Sequence, residues 1–435
     1  MTQIAQTSRL ADYEAAFASS MRALNLENAD RLITALSGGP DSTALACLAD
    51  LYARSHGKDH QAVIVNHNIR PNATQEAVRV SQRMKNLAIT SQILTIDANA
   101  PETGVQEWAR HQRFAALTKL ARQLSAVVLF AHHEADQAET VLMRLAHGSG
   151  VVGLVGMRGL TMRDAVQVAR PLLGWHADAL IDVLGLLDCD YEEDPSNQDC
   201  QFERVQMRKF LREVTASGST LAGDALRLGY AMQALSDNLD LASSALWQGA
   251  TRFFPTGHAM IEMDKLSDLA QPAWVFRARQ LIRQIGGRPY GVSELAVAEL
   301  HERLLAGRNS TLGGCQFVKS LRRGEPASFC VVRELGRARE AVDVGANDDV
   351  IFAGCWRMRT KQAGKLVHAG ALATSDDCEA STKWPSDITN LPFIVRRAIP
   401  VIITLDGAVL YPQIIKGDPV VTSTDTAFSA QFLGR

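Results

Sequence analysis

Residues Arg31–Ser42 read RLITALSGGPDS. The first half, Arg31–Leu36, is an apolar run of buried-strand length. Gly38-Gly39-Pro40 stops it, and a helical pattern runs from Asp41 to about His56. A strand, a glycine turn and a helix start in that order make a cradle for an anion. The glycines let the backbone approach it closely. The helix start offers free N–H groups and partial positive charge, and the hydroxyls of Ser37 and Ser42 add donors. No lysine follows, so this is not the G-x-x-x-x-G-K-S/T loop, nor is it G-x-G-x-x-G. Read alone, the segment also fits a plain connection capped by Ser37 or Asp41.

Outward from that loop the same signal repeats. Gln61–Val65, Gln92–Ile96 and Ala126–Phe130 are short apolar runs, interleaved with helical stretches at Ala73–Leu87, Val105–Leu124 and about Ala135–Ala146. Such alternation indicates a parallel sheet covered on both faces. The expected fold class is α/β, an N-terminal doubly wound parallel sheet with ligands at the C-terminal strand ends. Residues 222–250 then form a long helical pattern, followed by helical segments near 272–285 and 292–306. From about Ser310 the runs are short and strand-like (Phe329–Val332, Val350–Phe352, Ile399–Thr404, Val409–Tyr411), and 336–386 reads as loop-rich. The expected division is 1–218, an α/β domain; 219–309, a small helical domain; and 310–435, a small β-rich domain.

Composition narrows the function. At ~100–200 residues per domain, 435 residues make two to four domains. With 46% hydrophobic and 21% charged residues, wholesale disorder is excluded. The 45 Lys and Arg nearly cancel the 47 Asp and Glu, so a nucleic-acid site must be a local basic patch. Seven cysteines without a C-x-x-C pair argue against a disulfide scaffold or zinc knuckle and fit a reducing compartment. The N-terminus lacks a signal-peptide pattern and no apolar run approaches ~20 residues. The expectation is a cytoplasmic protein that does not engage membrane.

A second cluster, His132-His133-Glu134-Ala135-Asp136-Gln137-Ala138-Glu139-Thr140, follows the fourth strand and opens a helix. Asp136 and Glu139 stand at i, i+3 and share a helix face. Solvated acids complementing the helix dipole are the plain alternative. Adjacent histidines on extended chain point oppositely, so a shared zinc is disfavoured. Gly148–Met157 reads as a flexible covering loop. Arg204, Arg208, Lys209 and Arg212 form a local basic run, or else a solvated helix face.

Taken in order, SGGPDS (37–42), Asn66-His67-Asn68-Ile69-Arg70, Gln106-Glu107-Trp108-Ala109-Arg110, HHEADQAET (132–140), Arg170-Pro171-Leu172-Leu173 and Glu193-Asp194-Pro195-Ser196-Asn197 closely resemble the tRNA(Ile)-lysidine synthetase family, of the PP-loop ATP pyrophosphatase superfamily. Weaker echoes follow at Thr311-Leu312-Gly313-Gly314 and Leu391-Pro392. The resemblance implies an ATP-dependent carbon–nitrogen ligase that takes ATP, free L-lysine and the isoleucine tRNA with a CAU anticodon. In that family the ring oxygen of the wobble cytidine is adenylated with release of pyrophosphate. Lysine then attacks the ring carbon and expels AMP, and the lysidine formed shifts reading from AUG to AUA. Carried over by position, Ser37, Gly38, Gly39, Pro40, Asp41 and Ser42 bind ATP. Asp41 and Asp136 hold Mg²⁺. Glu139 receives or helps deprotonate the lysine ammonium. Arg110 and Arg208 stabilise phosphate charge or hold RNA. Residues 219–309 contact tRNA, and family grounds leave a homodimer open.

One departure stands out. Ala135 replaces the first of two adjacent acids usual in the family, so the metal leans on Asp136 at this end, with Asp41 supplying the other carboxylate. Two alternatives are a PP-loop tRNA thiolase, which needs placed cysteines, and a non-catalytic tRNA- or nucleotide-binding module.

Overall fold

The computed structural model describes residues 3–69, 72–96, 101, 103–163, 166–192, 203–287, 292–320, 328–335, 341–374, 388, 390–414 and 428–433. Its contacts divide the chain into Met1–Gln233 and Ala234–Arg435.

The first unit carries a six-stranded sheet. Its strands are β1 (Arg31–Leu36), β2 (Asp59–Asn66), β3 (Ser91–Thr95), β4 (Val127–Leu129), β5 (Leu160–Arg163) and β6 (Val166–Ala169), in the order β3-β2-β1-β4-β6-β5. All neighbours pair in parallel except β5, which runs antiparallel to β6 at the edge. The helices are α1 (Gln3–Ala23), α2 (Pro40–His56), α3 (Ala73–Asn86), α4 (Val105–Leu124), α5 (Glu134–Ala146), α6 (Val151–Leu154), α7 (Ala177–Leu186), α8 (Glu203–Ala216) and α9 (Leu221–Ala250), the last running past Gln233.

Strand alternation sets the two cores. Leu32, Leu36, Ile64 and Leu129 face one way and pack with Phe17, Met21, Leu45, Leu48 and Leu180. Ile33, Val63, Val128 and Val168 face the other way and pack with Phe114 and Leu117 of α4. The chain winds β1-β2-β3 to one side of β1 and returns to place β4 on the other. That reversal opens a crevice beyond the C-terminal ends of β1 and β4, where doubly wound sheets bind ligands. The α/β fold expected from the sequence is the fold observed.

Two features escape the sequence pattern. In α1 the apolar stripe is largely alanine, and its anchors Phe17 and Met21 are fully buried. The edge strand β5 is only half-buried and carries no apolar run.

The second unit is mixed. Strands β7 (Thr251–Phe254), β8 (His258–Glu262), β9 (Ser310–Leu312), β10 (Cys315–Ser320) and β11 (Ser328–Arg333) form one sheet, β7-β8-β11-β10-β9. It therefore draws strands from both sides of Ser310. Helices α10 (Gln271–Gly286) and α11 (Glu294–Leu305) add Trp274, Ile282, Val297 and Leu300 to its core. Residues 341–368 make four short strands, β12 (Ala341–Val344), β13 (Asp349–Phe352), β14 (Trp356–Thr360) and β15 (Gly364–His368); β13 carries the strand-like run Val350–Phe352, and the other three lie in the stretch read as loop-rich. Gly345-Ala346-Asn347-Asp348 and Ala353-Gly354-Cys355 make the tight turns after β12 and β13. With β16 (Pro400–Thr404), β17 (Val409–Leu410), β18 (Gln413–Ile414) and β19 (Phe428–Phe432) they form the sheets β12-β15-β16-β17 and β13-β14-β19-β18. Among the described residues no helix is long and apolar enough to cross a membrane.

Candidate active site

The loop after β1 is closed on itself. Ser42 Oγ donates to the Gly39 carbonyl (3.1 Å) and accepts from the Ser37 N–H (3.1 Å), and the Ser37 and Ser42 hydroxyls lie 3.0 Å apart. In the free loop these two hydroxyls, expected to add donors, are engaged with each other and with the backbone, which holds the loop's shape. The free donors at the start of α2 are the Asp41 and Ser42 N–H groups, since Pro40 has none and the Thr43 N–H donates to the Gly39 carbonyl (3.0 Å). Gly38 has φ +91°, and a Cβ there would lie 2.6 Å from Val80 Cγ2, so only glycine fits. Its carbonyl accepts from the Glu192 N–H (2.8 Å), while Arg83 pairs with the Glu192 carboxylate (3.2 Å). Sequence reasoning passed over Glu192. The following motif, Glu193–Asn197, lies outside the described residues, as does Arg70.

Across the crevice, His133 caps α5. Its Nδ1 accepts from the Ala135 N–H (3.2 Å), and its own N–H donates to Asp136 Oδ2 (3.1 Å). Accepting at Nδ1 leaves the ring proton on Nε2. That atom stands 3.6 Å from Asp41 Oδ2 and 3.7 Å from Asp136 Oδ2. Two carboxylates 95 positions apart in the chain thus converge on one nitrogen. Burial works against the His133 imidazolium, but Asp41 and Asp136 outweigh it and raise the pKa. A second proton, on Nδ1, would break the Ala135 cap.

Helix α8 supplies the opposite charge. Arg204 donates to Glu139 Oε2 (2.9 Å) and Asp136 Oδ1 (3.0 Å), and Arg208 to Glu139 Oε1 (2.7 Å) and Asp136 Oδ1 (3.4 Å). The i, i+4 spacing of the arginines matches the i, i+3 spacing of the acids. Leu211 of α8 and Ala138 and Val141 of α5 belong to one apolar cluster beside the charges. The acid side chains are 2% exposed at Glu139 and 13% at Asp136. Burial alone would raise the Asp136 pKa; the charges of His133 and Arg204 overcome it and lower the value. The basic run expected on α8 is thus divided. Arg204 and Arg208 turn onto the acids, and Lys209 lies on the exposed side near Glu213 (3.9 Å).

Arg110 takes a different place. Its guanidinium lies over the Phe114 ring (5.7 Å to the centroid), as does that of Arg163 (4.3 Å). His67 and Trp108 bring the NHNIR and QEWAR segments together, with ring centroids 6.4 Å apart.

The Gly148–Met157 loop, expected to be flexible, is pinned. Gln137 Nε2 donates to the Val155 and Met157 carbonyls (3.1 Å each) and its Oε1 accepts from the Met157 N–H (2.7 Å). Arg144 donates to the Gly153 and Gly156 carbonyls. Gly156, at φ +75°, lies so close to Gln137 that a Cβ would meet it at 2.6 Å. Gln137 and Arg144 are thus structural, a role that shows only once their carbonyl partners are located.

Among the described residues no group of three or more His, Cys, Asp and Glu side chains is arranged to hold a metal. The donors at hand for a hard cation are the oxygens of Asp41 and Asp136. These suit Mg²⁺, which binds one or two carboxylates and completes its shell with phosphate and water.

Residues 12–215 match the PP-loop domain family. The chain is 35% identical over 291 residues to a tRNA(Ile)-lysidine synthase of Bradyrhizobium sp. (strain BTAi1), covering 63% of this chain and 80% of that protein. To the enzyme of the same name from Ruegeria pomeroyi it is 34% identical over 347 residues, 79% of this chain and 78% of the relative. A solved U34-tRNA thiolase from Methanococcus maripaludis superposes with a TM-score of 0.45 at 17% identity, covering 52% of this chain and 80% of that one.

Proposed function

Because the chain belongs to the tRNA(Ile)-lysidine synthase family, we propose that it ligates free lysine to the wobble cytidine of the CAU-anticodon isoleucine tRNA at the expense of ATP, in the cytoplasm. The observation that carries the reading is the approach of Asp41 and Asp136 to His133 Nε2, at 3.6 and 3.7 Å, where the strand order reverses.

On this reading residues 37–42 cradle the ATP phosphates at the start of α2. Asp41 and Asp136 would hold Mg²⁺, which neutralises phosphate charge when bound. His133, donating from Nε2, holds the two carboxylates in register. Ala135 is tolerable because Asp41 supplies the second oxygen ligand. Arg110 and Arg208 act on phosphate or RNA charge.

Glu139 takes the lysine ammonium, but both its oxygens are paired with Arg204 and Arg208 in the free protein. An ammonium enters only when those arginines turn away, and a triphosphate is the anion that draws them. On this reading ATP binding opens the amine site, an order in which lysine binds after nucleotide. Residues 219–309 supply further tRNA contact, and a homodimer fits the family.

The test is incubation with tRNA transcript, ATP and labelled lysine. Label in the RNA with release of AMP is expected; label that never enters, with ATP intact, would leave the binding-module reading. A thiolase needs a reactive thiolate. The five described free cysteines are all buried; burial pushes the Cys330 thiol up to about 11, and Cys189, lowered by its hydrogen bond with Cys47, is buried as well.

A further inference from the structure

A second cluster of charge lies beside the acids. Arg163 ends the edge strand β5 and is exposed. Arg170 directly follows β6, whose C-terminal end neighbours that of β4. Arg110 comes from α4, and its guanidinium shares the Phe114 ring with that of Arg163. Phe114 stacks on Phe130 (4.8 Å), and Phe130 on His132 (5.8 Å), so an aromatic floor leads from the arginines to the histidine after β4.

Arg170 is held in place by its own hairpin. Its Nη1 donates to the Arg158 carbonyl (2.9 Å) and to Thr161 Oγ1 (3.4 Å), while Nε is buried without a hydrogen-bond partner. His132 Nδ1 is likewise buried and unpartnered. Among the described residues no carboxylate pairs with Arg163 or Arg170. Burial, then the charges of Arg110 and Arg163, lower the Arg170 pKa to about 10. Burial lowers His132 to about 3; Asp136 opposes the shift, and Arg170, Arg204 and Arg110 add to it. His132 therefore stands within charge range of both clusters.

Three guanidiniums of one sign, close enough to disfavour each other, repel in the free protein. Arginine forks match phosphate oxygens in pairs. We propose that Arg163 and Arg170, together with Arg110, form a phosphate-binding subsite where α4 covers the β5–β6 edge of the sheet: Arg163, opposite Val166 at the start of β6, reaches the Phe114 ring, and Arg170 follows the strand's other end, next to the acid cluster. The chemistry is that of a phosphate ester oxyanion. Its two sources are the backbone of the tRNA and the phosphates of ATP, and the inference deepens the ligase reading by assigning Arg163 and Arg170.

The experiment measures affinity for the tRNA transcript across a salt series, and for Mg-ATP by calorimetry, on the full chain. Arg163→Glu, Arg163→Gln and Arg163→Lys are compared with wild type. Arg163 is the position of choice because Arg170 also fastens its hairpin. If the anion is the RNA backbone, Arg163→Glu weakens tRNA binding by about tenfold or more and lowers the salt slope by about one, with ATP unaffected. If it is the nucleotide, the loss appears with Mg-ATP and the tRNA slope is kept. In either arm Arg163→Gln loses less than Arg163→Glu, and Arg163→Lys keeps most of the affinity. Wild-type affinities for both ligands in Arg163→Glu overturn the subsite, as does an equal loss in Arg163→Lys. A wild-type chain that incorporates no lysine overturns the ligase reading instead.

Discussion

Two groups of charge lie against one sheet and differ in how they are balanced. Asp136 and Glu139 meet Arg204 and Arg208 within hydrogen-bonding distance, two charges of each sign. Arg163 and Arg170 pair with no carboxylate among the described residues, and Arg110 adds a third guanidinium beside them. The adjacent histidines register the contrast. His133 faces carboxylates and its pKa is raised, whereas burial, with the guanidiniums adding to it against Asp136, takes His132 down to about 3. A balanced cluster stabilises the free protein and rigidifies its helices. An unbalanced one costs stability unless an anion joins it.

The comparison can be broken at its strongest point by Asp41→Asn and Asp136→Asn. Each should lower lysine incorporation at least ~10²-fold while the fold survives, as lost electrostatic stabilisation of phosphate predicts. Near-wild-type turnover in either variant would remove the crevice from the reaction. Next, Glu139→Gln leaves the two arginines of α8 short of a charge beside a buried amide. A loss of about 2 kcal/mol is expected from the urea midpoint at unchanged slope, tempered by the partial exposure of both arginines. An unchanged midpoint would mean that α8 is held by its apolar contacts alone.

The histidine contrast predicts a pH effect. His132 has a folded pKa below its unfolded value of about 6.5, so the unfolded chain binds more protons between the two. Its contribution is complete above pH 6.5 and is lost as the pH falls toward 3. Stability at pH 5 should drop by roughly 1–2 kcal/mol relative to pH 7, and His132→Gln should flatten that dependence. Equal slopes for the variant and wild type would assign the acid sensitivity elsewhere. Last and smallest, Arg163→Ala should move the melting midpoint little, within ~0.5 kcal/mol, because an exposed cation of an unbalanced group has little to lose. A clear destabilisation would mean that its ring contact with Phe114 is structural and would blur the distinction between the clusters.

Much of the first unit is legible from local signals. Arg31–Leu36 is a strand because an apolar run of that length ends in glycine, and β1 has those bounds. Val105–Leu124 is helical over the residues its pattern marks. Where the signal was weak the reading was incomplete. The alanine stripe of α1 and the half-exposed β5 are ordered by what they pack against. The turn residues between β12 and β15 masked β12, β14 and β15, because each strand is too short to outweigh its flanks, while the apolar run Val350–Phe352 of β13 is legible.

The sequence by itself determined the strand–turn–helix units, the glycine loop and the acids at the start of α5, because each depends on neighbours a few residues away. Tertiary structure alone decided the partners. Glu139 meets Arg204, 65 residues on, only when α8 packs against α5. Arg110 joins Arg163 and Arg170 because α4 covers the sheet face at β4 and β6. The physical reason is that charge acts through space over a few ångströms, and only the folded backbone sets which charges come that near.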